Sequence, residues 1–473
     1  MTRPSFNRQR LPSLCLTLAL FFTTACSATL PPPESPVPLG DTFSSSGTQQ
    51  ALEQWWQAFD DPALARLIDR ALKDNFDLQA TWERLAQSRA SVRNASSGLW
   101  PQLDAEAGAR RTRSATEDTT SFANSFSLGA VASYELDLWG RVRATREAAQ
   151  LAQLANRENL DTAAMSLAAE VAGTWFELTT ASGQQQILSE QHTTAAKTLE
   201  LVELQFRTGK VTLADLLQQR QLLESIAGEQ AQAAARVAVT RHSLAVLTGQ
   251  SPQSFQLPDT QRLPALPPLP ATGLPAELLS RRPDIRSAWY QVLADRARID
   301  IAQADRLPRI SLSGSIESSA DEIDTLFDNW FANLAGNLLA PLLDGGQRRA
   351  EVSRTREAAA ESLNLYGQQV LEALQEVEDA LVHENHQQQY LLSLQQQLEL
   401  SQQALNQIRT RYTRGNLSFE RVLDAQRSVL QLQRSELEAE SQLLQYRVAL
   451  YRALGGNWPL QQKPSPRAAN DEG

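Results

Sequence analysis

The chain has 473 residues, with 44 Lys or Arg against 54 Asp or Glu and a formal charge of −10. That acidic balance, without basic clustering, argues against a nucleic-acid binder. No HExxH segment or nucleophile elbow is present, and Gly209-Lys210 lacks the upstream Gly and the following Ser/Thr of a P-loop, so an enzyme is not expected.

Residues 1–25 read as a secretory signal. Arg3, Arg8 and Arg10 precede an apolar run from Leu11 to Phe22, and small residues follow. Thr23-Thr24-Ala25-Cys26 is similar to a bacterial lipobox, with Thr23 where Leu is usual. Cleavage there makes Cys26 the acylated N-terminus, carrying a palmitate-type chain; an ordinary signal peptide is the alternative. Cys15 would leave with the signal, so Cys26 has no disulfide partner. Ser27 rather than Asp follows it, which for bacterial lipoproteins implies forwarding to the outer membrane. Residues 26–48, rich in Pro and Ser, read as a lipidated tether. After the signal no run of about 18 apolar residues occurs, so any membrane crossing must be made by strands closed into a barrel.

Helical periodicity begins near Leu52 and continues, after a break at Pro62, to about Ser96. From Pro101 the period changes to two. Leu103, Ala105, Ala107 and Ala109 alternate with polar residues, and alternation resumes from Phe126 to Leu138 after a polar loop. These stretches predict strands over about 102–113 and 123–138, joined as a hairpin. A second hairpin is expected over about 309–317 and 330–342, around an acidic loop from Asp321 to Asp328. Its last strand alternates poorly between Leu334 and Leu339.

Each hairpin is followed by Gly and then a very long helical pattern, Gly140 to Gly209 and Gly346 to Gly415. At 1.5 Å per residue, about 68 residues extend roughly 100 Å. Return helices follow, from about Leu213 to Leu247 and Phe419 to Leu454. Leu391, Leu398 and Leu405 recur every seven residues, as do Leu423, Leu430, Leu437, Leu444 and Tyr451. Such heptads predict helices packed along their length at shallow angles. His383 and His386, with no ligand cluster around them, read as surface residues on one of these helices.

The whole pattern occurs twice. Phe206-Arg-Thr-Gly209 through Leu217 matches Tyr412-Thr-Arg-Gly415 through Leu423, a constant shift of 206 positions (412 against 206). Asp77, Trp82, Arg89 and Pro101 match Asp284, Trp289, Arg296 and Pro308. The expected organisation is a first repeat over 49–257, a Pro-rich linker over 258–275, a second repeat over 276–456, and a disordered tail over 457–473.

Four strands cannot close a membrane barrel, since the smallest have about eight; several chains must pool theirs. Here the repeat, together with Leu136-Asp-Leu-Trp-Gly-Arg141, Pro341-Leu-Leu-Asp-Gly-Gly346, and Tyr412-x-x-Gly415 followed by Leu423-Asp-Ala425, resembles the outer-membrane efflux proteins. These are TolC-like channels, and the chain is similar to their lipoprotein (NodT-type) branch over about residues 50–456. The resemblance implies an α+β membrane channel: a long antiparallel α-helical coiled-coil barrel plus a trimer-shared transmembrane β-barrel with four strands per chain. It implies a homotrimer in the cell outer membrane, extending into the periplasm. The channel would be a passive exit duct of a tripartite efflux system, served by an inner-membrane pump and a periplasmic adaptor protein, with no cofactor. Export of proteins in a type I secretion system, or a coiled-coil envelope lipoprotein with no pore, are the alternatives.

By the same resemblance, Asp424 lies where the tunnel tapers and forms a carboxylate ring about the threefold axis. A second acidic residue found in some relatives is Arg421 here. Asp215 is its first-copy counterpart, so an ion pair between Arg421 and an acidic neighbour, within or between chains, is one way to hold a periplasmic gate shut. The turns Arg207-Thr-Gly209-Lys210 and Arg414-Gly415-Asn416-Leu417 have the Gly and basic residues that suit helix C-termini; the resemblance adds adaptor docking at these tips. Trp100, Trp139 and Trp330 lie near strand ends, either at the membrane interface or packed between strands and helices.

Overall fold

Asp61 and Asn75 punctuate the first helical stretch in a computed structural model of the chain, which describes residues 32–48, 54–115, 120–258, 262–455 and 460. The expected signal, Cys26 and nearly all of the tail lie outside those residues. Ser35–Gly473 form a unit separate from Met1–Glu34, and every described helix and strand belongs to it.

The Asp61 carboxylate accepts from the Ala63 and Leu64 N–H groups and starts α1 (Pro62–Asp74). The Asn75 side chain accepts from Leu78 N–H at 2.9 Å, starting α2 (Phe76–Ser97), and donates to the Leu247 carbonyl at 3.0 Å. Periodicity alone does not reveal this second break, because the apolar spacing runs through it; the break follows from an Asn in extended conformation serving as cap.

Strands β1 (Gln102–Ala115) and β2 (Thr120–Leu136) form the first hairpin. They lead into α3 (Arg141–Arg207) and its return helix α4 (Leu213–Leu247). A short α5 (Leu278–Arg281) precedes α6 (Pro283–Ala304), β3 (Arg309–Ala320), β4 (Trp330–Leu339), α7 (Gln347–Thr413) and α8 (Phe419–Ala453). Helices α3 and α7 have 67 residues each, and α4 and α8 have 35 each. The four strands make one antiparallel sheet in the order β1-β2-β3-β4.

Five strand ends differ from the sequence expectation, two of them because the first hairpin is longer, with β1 running on to Ala115 and β2 starting at Thr120. Strand β2 stops at Leu136 rather than 138 because Asp137 leaves the ladder to cap α3. Its carboxylate accepts from the backbone N–H groups of Val142 and Arg143, both at 3.0 Å. Strand β4 stops at Leu339, short of 342, ahead of Pro341, which has no N–H to give a ladder. Strand β3 runs on to Ala320 because β2 extends to pair with it, Phe126 opposite Ala320.

Three apolar clusters hold the helices. One gathers Trp55, Trp56 and Phe59 with α1 and the middle of α3. Its counterpart joins α6, the first half of α7 and the end of α8. The third fills the space between α3, α4, α7 and α8 near their turns. Gly183 lets α3 and α8 approach: a Cβ there would lie 2.9 Å from a Leu437 methyl.

The Pro-rich segment is irregular but firmly held. Gly47 N–H donates to the Pro270 carbonyl at 3.0 Å, and the Thr272 N–H to Ser46 Oγ at 3.1 Å. The Arg447 guanidinium, 1% exposed, donates to the Pro267 and Pro268 carbonyls and is ion-paired with Glu384 at 2.6 Å. Arg282, 4% exposed, bridges Asp284, Glu376 and the Ala453 carbonyl in the same way. Each buried guanidinium has its donors taken by carboxylates and carbonyls, the condition under which a buried charge is tolerable.

Candidate functional site: the strand wall and the helix tips

Residues directly opposite in an antiparallel ladder share a face, so the register sorts every strand residue. Ala109 pairs with Phe126, which pairs with Ala320; Ala105 pairs with Ala130, Ala130 with Ile316, and Ile316 with Ala332. Tyr134, Leu312 and Gly336 form another such row, as do Leu136, Ile310 and Leu338. This face is apolar from the helix-proximal ends outward. The opposite face pairs Ser133 with Ser313, Ser127 with Ser319, and Ser315 with Asn333. One face therefore suits hydrocarbon. The other presents mainly hydroxyls and small side chains, with Asp104, Glu106, Glu135 and Glu317 as its acids.

Both outer strands, β1 and β4, leave an edge of backbone groups unpaired within the chain. At the base of the sheet the two repeats are tied together. Trp139 Nε1 donates to the Pro308 carbonyl at 2.7 Å, while Arg141 holds the Glu135 carboxylate with two hydrogen bonds of 2.9 and 2.7 Å. Trp139 is half exposed, and Trp100 and Trp330 are exposed at 73% and 66%. Asp344 matches Asp137: it accepts from Gly346 and Arg348 N–H and starts α7, as Asp137 starts α3. Burial opposes ionisation of Asp137, yet its backbone and Arg143 donors hold its pKa below the usual value.

At the other end of the helices the tips are built alike up to the turn and then diverge. Gly209 (φ 68°) and Gly415 (φ 76°) follow the C-caps, where positive φ turns the chain. Lys210 N–H reaches back to the Gln205 carbonyl at 2.9 Å, and Asn416 N–H to the Arg411 carbonyl at 3.0 Å. The first turn then closes a capping box. Asp215 accepts from Thr212 N–H at 2.9 Å, and Thr212 Oγ1 from Asp215 N–H at 3.2 Å. In the second turn Ser418 caps α8 without a side-chain hydrogen bond, and the matching third position is Arg421.

An Asp215–Arg421 ion pair is therefore not formed within the chain: the Asp215 carboxylate is occupied by Thr212. The Asp215 charge is felt by nearby Tyr412, whose hydroxyl pKa is raised by burial and then by that charge, and which donates to Gln205 Oε1 at 2.8 Å. Arg421 and Asp424, both exposed, stand three apart on α8 with no hydrogen bond or ion pair among the described residues. Arg207, Lys210, Arg414 and Gly415 are exposed around the turns, with Leu417 partly covered.

Sequence reasoning missed the cross-ties behind the tips. Arg427 donates to Gln221 Oε1 at 2.7 Å, joining α8 to α4. Arg434 pairs with Glu229 at 2.8 Å and donates to Gln191 Oε1 at 3.1 Å, joining α8 to both α4 and α3. A signal was available: Gln221 and Arg427 are repeat counterparts, and Arg434 follows Arg427 by one heptad.

Comparison with known proteins agrees with this geometry. The family model described as outer membrane efflux protein matches residues 67–250 and 274–456. The pyoverdine export outer membrane protein OpmQ of Pseudomonas aeruginosa is 32% identical over 96% of this chain and 98% of its own. The solvent efflux pump outer membrane protein SrpC of Pseudomonas putida is 31% identical over 91% of this chain and 94% of its own. The solved outer-membrane channel OprN superposes with a TM-score of 0.84 at 29% identity, covering 91% of this chain and 99% of that one. With a four-stranded sheet shared toward a barrel and paired long helices, this chain belongs to the outer membrane efflux protein family.

Proposed function

We propose that the protein is the outer-membrane exit duct of a tripartite efflux system, passively conducting cargo delivered by an inner-membrane pump through a periplasmic adaptor. The observation that carries this reading is the two-faced sheet with two free edges. An open sheet apolar on one side is stable in lipid only when every edge is paired. β1 and β4 run in opposite directions, so β4 of one chain can complete the ladder of β1 in the next. Three chains give twelve strands, within the even-numbered range of outer-membrane barrels. A coiled-coil scaffold without a pore has no use for such a sheet.

The duct's wall supports passivity. The polar face of small hydroxyl residues offers no deep apolar pocket in which to hold cargo, so selection falls to the pump. Three copies of Asp424 would ring the narrowed entrance, with Arg421 beside it free to pair with a neighbouring chain. The Gly209 and Gly415 turns, with Arg207, Lys210, Arg414, Asn416 and Leu417, would dock the adaptor. Cys26 would carry the lipid. Purified protein in planar bilayers tests the duct. Heat-stable trimers extracted from outer membranes should conduct ions, and a monomeric, purely helical, water-soluble product would refute the reading.

A further inference from the structure

Just beyond the apolar band, the same sheet face carries two arginines. From the Leu136 row to the Phe126 row is ten residues, about 33 Å along the strand at roughly 3.3 Å per residue. Tilted by about 40°, that is close to the 25 Å height typical of an outer-membrane barrel's apolar belt. The next two rows outward pair Arg111 with Asn124 and Arg113 with Phe122. Both guanidinium groups lie over the Phe122 ring, at 5.1 and 5.8 Å from its centroid. Neither has a carboxylate partner among the described residues, and Phe122 is 59% exposed. Arg110, next to Arg111 in sequence, alternates to the polar face, opposite Ser125.

We propose that Arg111, Arg113 and Phe122 form a binding site for the phosphorylated headgroup of an outer-leaflet lipid. This rests on the barrel reading, which puts the hairpin turns on the side away from the helices. Two cations one row apart, directly above a hydrocarbon face, match an amphiphile whose acyl chains lie along Ala107, Ala109 and Phe126. Arginine's planar donor fork suits phosphate oxygens, and contact with one shared ring holds both forks in the same place. The headgroup charge would neutralise both without the cost of burying either.

The test uses trimers in lipid-free detergent, titrated with lipid A carrying its two phosphates or with a dephosphorylated form. The readout is the temperature at which trimers dissociate. Phosphorylated lipid should raise it, and the dephosphorylated form should not. An Arg111→Ala/Arg113→Ala protein should need roughly ten- to thirtyfold more lipid A for the same rise. Arg111→Lys/Arg113→Lys should recover part of the response, and Arg110→Ala should respond like the wild type. An unchanged response in the double alanine protein overturns the site, as does equal stabilisation by the dephosphorylated lipid. If that variant is weakened already without lipid and responds normally, the site is likewise overturned, and the arginines pair instead with the acidic Asp321–Asp328 loop of a neighbouring subunit. Failure of the wild type to form trimers in any lipid would overturn the barrel reading beneath.

Discussion

Arg447 is 1% exposed and its partner Glu384 4%. Truncating one member of such a pair leaves the other charge buried alone, which costs about 3–5 kcal/mol. Glu384→Gln should therefore lower the thermal unfolding midpoint markedly and free the Pro267–Pro268 segment to proteolysis, whereas exposed His383→Ala beside it should do neither. Asp424 makes the opposite kind of case, an exposed acid with no partner among the described residues of its own chain. Asp424→Asn should shift the reversal potential measured in a KCl gradient toward zero; an unchanged value would remove it from the entrance ring. Glu158 and Asp161 add a pH dependence. Burial raises both pKa values, against the pull of Arg286 on Glu158 and of Arg157 on Asp161. A carboxyl whose folded pKa is raised disfavours the fold when ionised, so its contribution is best at low pH and is lost as pH rises through the folded pKa. Asp284 has the reverse sign. Burial opposes its ionisation, but Arg282 holds its pKa below the usual carboxylate range, so its contribution persists at neutral pH and is lost in strong acid. The melting temperature of Glu158→Gln should thus vary less with pH than that of the wild type between neutrality and the carboxylate range.

At the scale of elements, the difference between the two tips that matters for capping is the third position of the return helix. Asp215 completes a capping box, and Arg421 cannot. Arg421→Glu should let Ser418 and the new acid cap α8, stabilising its first turn by about 0.5–1 kcal/mol, visible as slower amide exchange there. The long helices and first hairpin were legible because their periods are long and clean. The seam of α3 was not: its buried or half-buried positions 181, 184, 188, 191, 195, 198, 202 and 205 keep strict 3,4 spacing. They hold Ala, Gln, Leu, Gln, Ala, Thr, Val and Gln, and half of those carry no hydrophobic signal. Gln219 illustrates the chemistry, fully buried and donating to the Ala195 carbonyl at 2.9 Å. For the same reason the tie of Arg434 to α3 carries no hydrophobic signal, since its partner Gln191, 4% exposed, has the composition of a surface residue. The break at Asn75 was hidden by apolar spacing that continues across it. Within one chain Asp215 does not pair with Arg421 for a local reason: a carboxylate three residues after a Thr is claimed by that helix's own N-terminus.

For the whole molecule, the register makes a sharp distinction between neighbours in sequence. Ile316 lies on the apolar face between Ala130 and Ala332, and Ser315 on the polar face between Val131 and Asn333. An arginine at the middle of a lipid-facing strand costs about 2–4 kcal/mol per chain. Ile316→Arg should abolish trimers in the outer membrane. Ser315→Arg should assemble normally and reduce single-channel conductance. The equal lengths of α3 and α7, 67 residues, and of α4 and α8, 35 residues, have a further consequence. On the proposed docking of one adaptor at both turns, the two hairpins of helices act as measuring rods that must end at the same height. Adding a single residue to one rod would rotate everything beyond it by about 100° and turn its seam away from its mate. The lineage can change its reach only by inserting whole heptads, at matched depth, in both limbs of both copies. The duplication that built the chain thereby locks its two halves into changing length together.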